Sequence, residues 1–309
     1  MKKVLFCLTM CCAAVQSLAQ APASPPAAPS APSAPSAETA AQADKSDTFL
    51  LTSAVLSETR RINVFAPAGH GGKESAALPV LYMPDGGQAE DFPHVAQTVQ
   101  ALVAAGRMPP VLLVGIENTE RRRDLTGPTT VESDKKIAAR VGGSAAFRQF
   151  IRTELMPYIG AHYRVTADKG IVGESLAGLF IVETLLVEPD LFDRYVAISP
   201  SLWWNDEALV RAADASIKAL PARPKKIFLT SADEDNIVPG TARLAASLLA
   251  HAPAGVSLSF KPMPNERHDT IYRASEAVAL ETVYGPAGGV GAAARSAAPA
   301  AARAPGVAR

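Results

Sequence analysis

Gly173-Glu174-Ser175-Leu176-Ala177-Gly178 places a serine between small residues, where the short apolar run Gly170-Ile171-Val172 meets a longer one from Gly178 to Leu186. A serine in a tight strand-to-helix turn presents its hydroxyl, because the residues two places either side must be small enough for the backbones to close. The pattern is that of a nucleophile elbow, Gly-x-Ser-x-Gly, with Ala177 in the last place and Gly178 one step later.

Outward from this turn, short apolar segments alternate with longer helical ones. Phe49 to Leu56 and Arg61 to Phe65 read as two tightly joined strands at a sheet edge. Strands are expected at Pro79–Met83, Val111–Ile116, Lys169–Val172, Phe192–Ile198, Lys226–Thr230 and Val256–Lys261. Helices are expected at His94–Ala105, Ala145–Tyr163, the segment after Ser175, Asp206–Leu220, Thr241–His251 and Thr270–Tyr284. Repeated strand–helix units build a mostly parallel sheet with helices on both faces. Runs such as Val111-Leu-Leu-Val, apolar throughout, suit strands covered on both sides. Eight strands in this order predict an α/β-hydrolase fold, class α/β, over residues 46–284.

The flanks differ in composition. Met1-Lys2-Lys3, the apolar run Val4–Val15 and Ser17-Leu18-Ala19 have the layout of a signal peptide (1–19) cleaved after Ala19. Export to the periplasm or beyond the cell is the expectation, with no stable membrane insertion after cleavage, since the apolar run is too short to span a bilayer comfortably. Residues 20–45 are Ala-, Pro- and Ser-rich and 285–309 are Ala-, Gly- and Pro-rich, so both read as disordered: such segments bury too little apolar surface to offset chain entropy. The three cysteines (Cys7, Cys11, Cys12) all lie in the leader, which leaves the mature chain without disulfide, thiolate metal site or cysteine nucleophile. The whole chain has 30 basic and 30 acidic residues. Setting aside the charges of the flanks leaves a body of net charge about −4 without a basic stripe, which argues against nucleic acid as a partner. No metal-binding spacing and no phosphate- or dinucleotide-binding glycine pattern is present, so no cofactor is expected.

A serine hydroxyl needs a base, and the base needs a carboxylate to hold its tautomer. In this fold the chain order is Ser, acid, His. His268, in the loop after the last strand, is the base expected; His251, at a helix end, reads as a solvated imidazole. The acid is expected just after strand Lys226–Thr230, where Asp233, Glu234 and Asp235 are all candidates and Asp235 is favoured for its reach past the strand. Oxyanion donors are expected from the backbone N–H of Leu176 and, from the loop Met83-Pro84-Asp85-Gly86-Gly87-Gln88, from Gly87 rather than Gly86. Arg121, in the run Arg121-Arg122-Arg123, is a candidate for gripping an anionic or phenolic substrate. Of the adjacent Trp203 and Trp204, one is expected to line an aromatic pocket while the other packs in the domain.

Leu81-Tyr82-Met83-Pro84-Asp85-Gly86, Asn118 to Thr126, Gly173 to Phe180, Ser199-Pro200-Ser201-Leu202-Trp203-Trp204 and Glu266-Arg267-His268 together resemble a broad esterase family. Its members include enterochelin and salmochelin esterases, feruloyl and acetylxylan esterases, S-formylglutathione hydrolase and mycolyltransferases. The arginine run and the Ser-Pro-Ser-Leu-Trp-Trp segment look most like its siderophore-esterase branch. The resemblance covers about Leu78 to Leu280 and implies Ser175 as nucleophile, His268 as base and Asp235 as acid. It also implies a small-molecule ester as substrate, a catecholate siderophore ester first among the choices. A generic or feruloyl-type carboxylesterase and an acyltransferase are alternatives on the same fold, and a non-catalytic periplasmic binding protein is a remote one.

Overall fold

A computed structural model describes residues 45–72 and 75–285. The expected leader (1–19), all of the expected linker but Lys45, and all of the expected tail but Gly285 lie outside the described residues.

Eight strands form one sheet: β1 (Lys45–Ser53), β2 (Glu58–Ala66), β3 (Leu78–Pro84), β4 (Leu112–Ile116), β5 (Val165–Glu174), β6 (Arg194–Ile198), β7 (Lys225–Thr230) and β8 (Val256–Phe260). Their order across the sheet is β1-β2-β4-β3-β5-β6-β7-β8. The edge hairpin β1–β2 joins the sheet antiparallel through β4, and every other pairing is parallel. This is the α/β-hydrolase arrangement, with β5 at the centre.

The apolar strands are buried because helices cover both faces. On one face α1 (Phe92–Ala104) and α10 (Ile271–Tyr284) pack Val95, Val99 and Leu280 onto Leu81, Met83, Val172 and Phe228 of the strands. On the other, α6 (Leu176–Val187) brings Leu179, Phe180 and Ile181 against Tyr82, Val114 and Ile171. Each such side chain, fully buried, contributes about 1.5–3 kcal/mol from apolar area alone. α6 is apolar over nearly all of its circumference, as suits a mostly buried helix, and its one charged residue, Glu183, pairs with Arg148. The helix expected at Ala145–Tyr163 runs from α4 (Ser144–Phe150) to α5 (Met156–His162), joined by a π-helical turn at Ile151–Leu155.

Two short helices, α2 (Arg121–Asp124) and α3 (Glu132–Lys135), follow β4. Asp124 anchors α2 by pairing with the fully buried Arg60 of β2, which fixes where the three arginines lie. The helix expected from Asp206 instead begins as α7 (Trp204–Arg211), with Asn205, Asp206 and Glu207 in the left-handed region, and resumes as α8 (Ala213–Lys218). Asn205 explains the departure. Its Oδ1 accepts from the Thr130 N–H at 3.0 Å, and its own N–H donates to Asp134 at 2.8 Å, so the segment is held to the loop around α3. Helix α9 (Val238–His251) completes the set. No helix among the described residues is long and apolar enough to cross a membrane.

Candidate active site

β5 runs to Glu174 and α6 starts at Leu176, so Ser175 alone makes the turn, at φ 59° and ψ −118°. Such a conformation in a non-glycine residue is costly and persists only when the surroundings hold it. Here the Ser175 N–H donates to the Ile198 carbonyl, and the Ser175 carbonyl accepts from the N–H groups of Leu179 and Ser201. Gly173 is required for closure: a Cβ there would stand 2.6 Å from the Ala177 Cβ. Ala177 in the motif's last position is therefore accommodated by the bare backbone of Gly173. Gly178 has a separate task, since a Cβ on it would approach Pro200 Cα to 3.0 Å.

Ser175 Oγ lies 3.1 Å from His268 Nε2 and 3.3 Å from Ser201 Oγ. On the far side of the ring, His268 Nδ1 is 2.7 Å from Glu234 Oε2. This corrects the choice of Asp235. Along Asp233-Glu234-Asp235 the outer two residues are exposed and Glu234 turns inward, its longer side chain spanning the distance to His268. The backbone enforces this alternation: the Asp233 N–H bonds the Glu266 carbonyl, and the Glu234 carbonyl accepts from Ile237 and Val238 as α9 begins. His251 pairs with Asp214 at the end of α9, away from Ser175.

The Leu176 N–H sits in the first turn of α6, where it has no intrahelical acceptor and faces the positive end of the helix dipole. Gly87, expected as the second donor, is differently engaged. Its N–H donates to Glu90 Oε2 at 2.7 Å, and the Gly86 N–H bonds the Ile116 carbonyl at 3.0 Å. The glycines serve close packing as well: a Cβ on Gly86 would stand 2.3 Å from Gly115 Cα. Glu90 lies only three residues on, and its burial works against ionisation and raises its pKa although the Gly87 N–H opposes the shift.

Arg121 reaches back to this loop and grips Asp85 with Nε and Nη2 at 2.8 and 2.7 Å. Arg123 pairs with Glu58, Glu120 and Asp124, and Arg140 with Glu120. Arg122 is exposed and engages no carboxylate among the described residues. All four arginines line a surface cavity of about 440 Å³ beside α2. The tryptophans part ways as expected of neighbours. Trp204 is 4 % exposed and donates its indole N–H to the Gly127 carbonyl at 2.8 Å, so it is the one of the pair that packs in the domain. Trp203 is half-buried against the core.

Two neighbours of Ser175 carried no expectation from the sequence. Ser201, buried beside Ser175 Oγ, lies in the segment whose outstanding sequence feature is its two tryptophans. Glu174 precedes Ser175, and burial together with the negative charges of Asp91, Glu234 and Asp85 pushes its pKa up to about 8, with Arg121 opposing. Its place in the motif was the available signal, since that residue ends β5 directly before Ser175.

The family described as "Putative esterase" matches residues 53–255, which span the elbow, the arginine run and the acidic loop. The chain belongs to this esterase family. The "Ferri-bacillibactin esterase BesA" of Bacillus subtilis is 29 % identical over 198 residues, covering 57 % of this chain and 67 % of that protein. Among solved structures, an IroE-like serine hydrolase from Shewanella oneidensis superposes with a TM-score of 0.69 at 26 % identity, covering 77 % of this chain and 79 % of that one. The BES protein from Bacillus cereus shares the fold, with a TM-score of 0.69 at 21 % identity, over 77 % of this chain and 96 % of that one. This esterase is thus a carboxylic ester hydrolase with siderophore esterases among its relatives.

Proposed function

We propose that the protein is an exported serine esterase that works through an acyl-enzyme, with Ser175 as nucleophile, His268 as general base and Glu234 as the acid. The continuous chain Ser175 Oγ, His268 Nε2, His268 Nδ1, Glu234 Oε2, with steps of 3.1 and 2.7 Å, carries this reading. Ser175 Oγ attacks the ester carbonyl as its proton passes to His268 Nε2. Glu234 accepts the Nδ1 hydrogen, which keeps Nε2 free as base and stabilises the imidazolium that forms. The Leu176 N–H donates to the developing oxyanion. His268 returns the proton to the leaving alkoxide, water adds to the acyl-enzyme by the same path in reverse, and the acid departs. The N-terminal leader pattern supports export.

The substrate class is an ester of a catecholate siderophore. Relatives named as siderophore esterases support it, as does the cavity beside α2, where Arg122 is available to an anionic catecholate. Fluorophosphonate labelling tests the nucleophile: the wild type forms an adduct that Ser175→Ala abolishes, and an equal adduct on Ser175→Ala would refute the reading. Incubation with an iron-free or ferric catecholate trilactone, compared with feruloyl and short p-nitrophenyl esters, tests the substrate class; turnover confined to the latter two would remove the siderophore assignment.

A further inference from the structure

Glu174 ends β5 immediately before Ser175, and its inner oxygen Oε1 is buried without a hydrogen-bond partner among the described residues. Four charged groups face it from three segments: Asp85 and Asp91 from the segment between β3 and α1, Glu234 from the loop after β7, and Arg121 from α2. The cation among them is engaged, since Arg121 is forked onto Asp85. From α10, the Tyr272 hydroxyl lies within the field of Asp91, Glu276, Asp85 and Glu174, 5 % exposed and likewise without a hydrogen-bond partner among the described residues.

Such an arrangement does not serve the fold. A carboxyl whose pKa rises from 4.5 to about 8 on folding holds a proton that the unfolded chain has released, so it lowers stability as pH rises between those values. A half-buried acid with unfavourable neighbours and an unpartnered inner oxygen, next to Ser175, is the kind of group that marks a functional site.

We propose that Glu174, with Asp85 and Asp91 behind it, is a specificity-determining residue that turns away esters carrying a negative charge close to the scissile carbonyl. Esters whose charge lies further out, toward the arginine-lined cavity beside α2, are admitted. The proposal rests on Ser175 being the nucleophile, but not on the siderophore assignment.

Diethyl succinate and monoethyl succinate test this, because they share one acyl skeleton and only the second bears a carboxylate near the reacting carbonyl. The measured quantity is the ratio of their kcat/KM values by product chromatography at pH 6 and pH 9, in which pH effects common to both esters cancel. The wild type is expected to favour the neutral ester, and the preference to grow roughly tenfold toward pH 9 as Glu174 ionises. Glu174→Gln abolishes that growth and Glu174→Asp retains it, which separates Glu174 from His94, a further group that titrates near pH 9. A wild-type ratio that is flat in pH overturns the proposal whether or not any variant folds, and so does equal growth in Glu174→Gln. No turnover of the neutral ester would overturn the esterase mechanism and this proposal with it, whereas failure on the trilactone alone touches only the siderophore assignment.

Discussion

At the scale of single residues, the site is decided by which way three consecutive acids point. Asp233 and Asp235 face solvent, and Glu234 alone meets His268 Nδ1. A glutamine at 234 presents an amide whose N–H₂ and oxygen are nearly isosteric with the carboxylate, so it keeps the shape of the contact while removing the charge that stabilises the imidazolium. Glu234→Gln is therefore expected to lower kcat roughly a thousandfold with little change in KM, and Asp235→Asn to stay within about threefold of the wild type. Steady-state kinetics on both variants checks this; a large loss in Asp235→Asn with a small one in Glu234→Gln would reverse the assignment. The sequence alone left the three acids open because the decision depends on the loop's backbone partners, Glu266 on one side and the start of α9 on the other. Gly87 was misread for a related reason: adjacent glycines signal an open backbone, but not that a carboxylate three residues later closes onto it. The meeting of Ser175 and His268 was legible because each is the only residue of its type at the end of the right strand.

At the scale of elements, the strands and most helices lie within a few residues of where apolar periodicity puts them, since strands covered on both faces leave an unbroken apolar run in the chain. The exception is the start of α7, where composition favours a helix and a long-range contact overrides it. Asn205 takes φ 50° and holds Thr129 and Thr130 through its side chain. Asparagine tolerates the left-handed region because its short amide bonds locally, while alanine does not. Asn205→Ala removes the acceptor and imposes the backbone cost, for an expected loss of about 2–3 kcal/mol in urea unfolding. Asn205→Gly removes the acceptor alone and is expected to lose about 1 kcal/mol less. Equal losses would mean that the left-handed backbone carries no cost here, and negligible losses that the contact holds nothing.

At the scale of the whole molecule, the two helices that cover the β3 side of the sheet are joined by a buried ionic link. His94 of α1 lies 2.6 Å from Glu276 of α10 through Nδ1 and 3.1 Å from Asp91 through Nε2, with Tyr272 edge-on to its ring. Burial opposes its charge, but the hydrogen bonds to Asp91 and Glu276 prevail and push its pKa up to about 9. This link bears on the site, because α10 starts three residues after His268 and the Ile271 N–H at its start bonds the Arg267 carbonyl. The folded state keeps a proton that the unfolded chain gives up near pH 6.5, so the stabilisation is complete below about pH 6.5 and fades as pH approaches 9. Glu174 adds a fall of the same sign up to about pH 8. Lys225, buried and lowered to about 8, acts oppositely above that pH, since the folded state releases its proton before the unfolded one does. The steepest loss is thus expected between pH 6.5 and 8. His94→Gln keeps a hydrogen-bonding side chain but cannot titrate, so its Tm should vary less across this interval than that of the wild type, with the remaining slope assigned to Glu174. A slope in His94→Gln equal to that of the wild type would show that the α1–α10 link does not depend on the charge of His94.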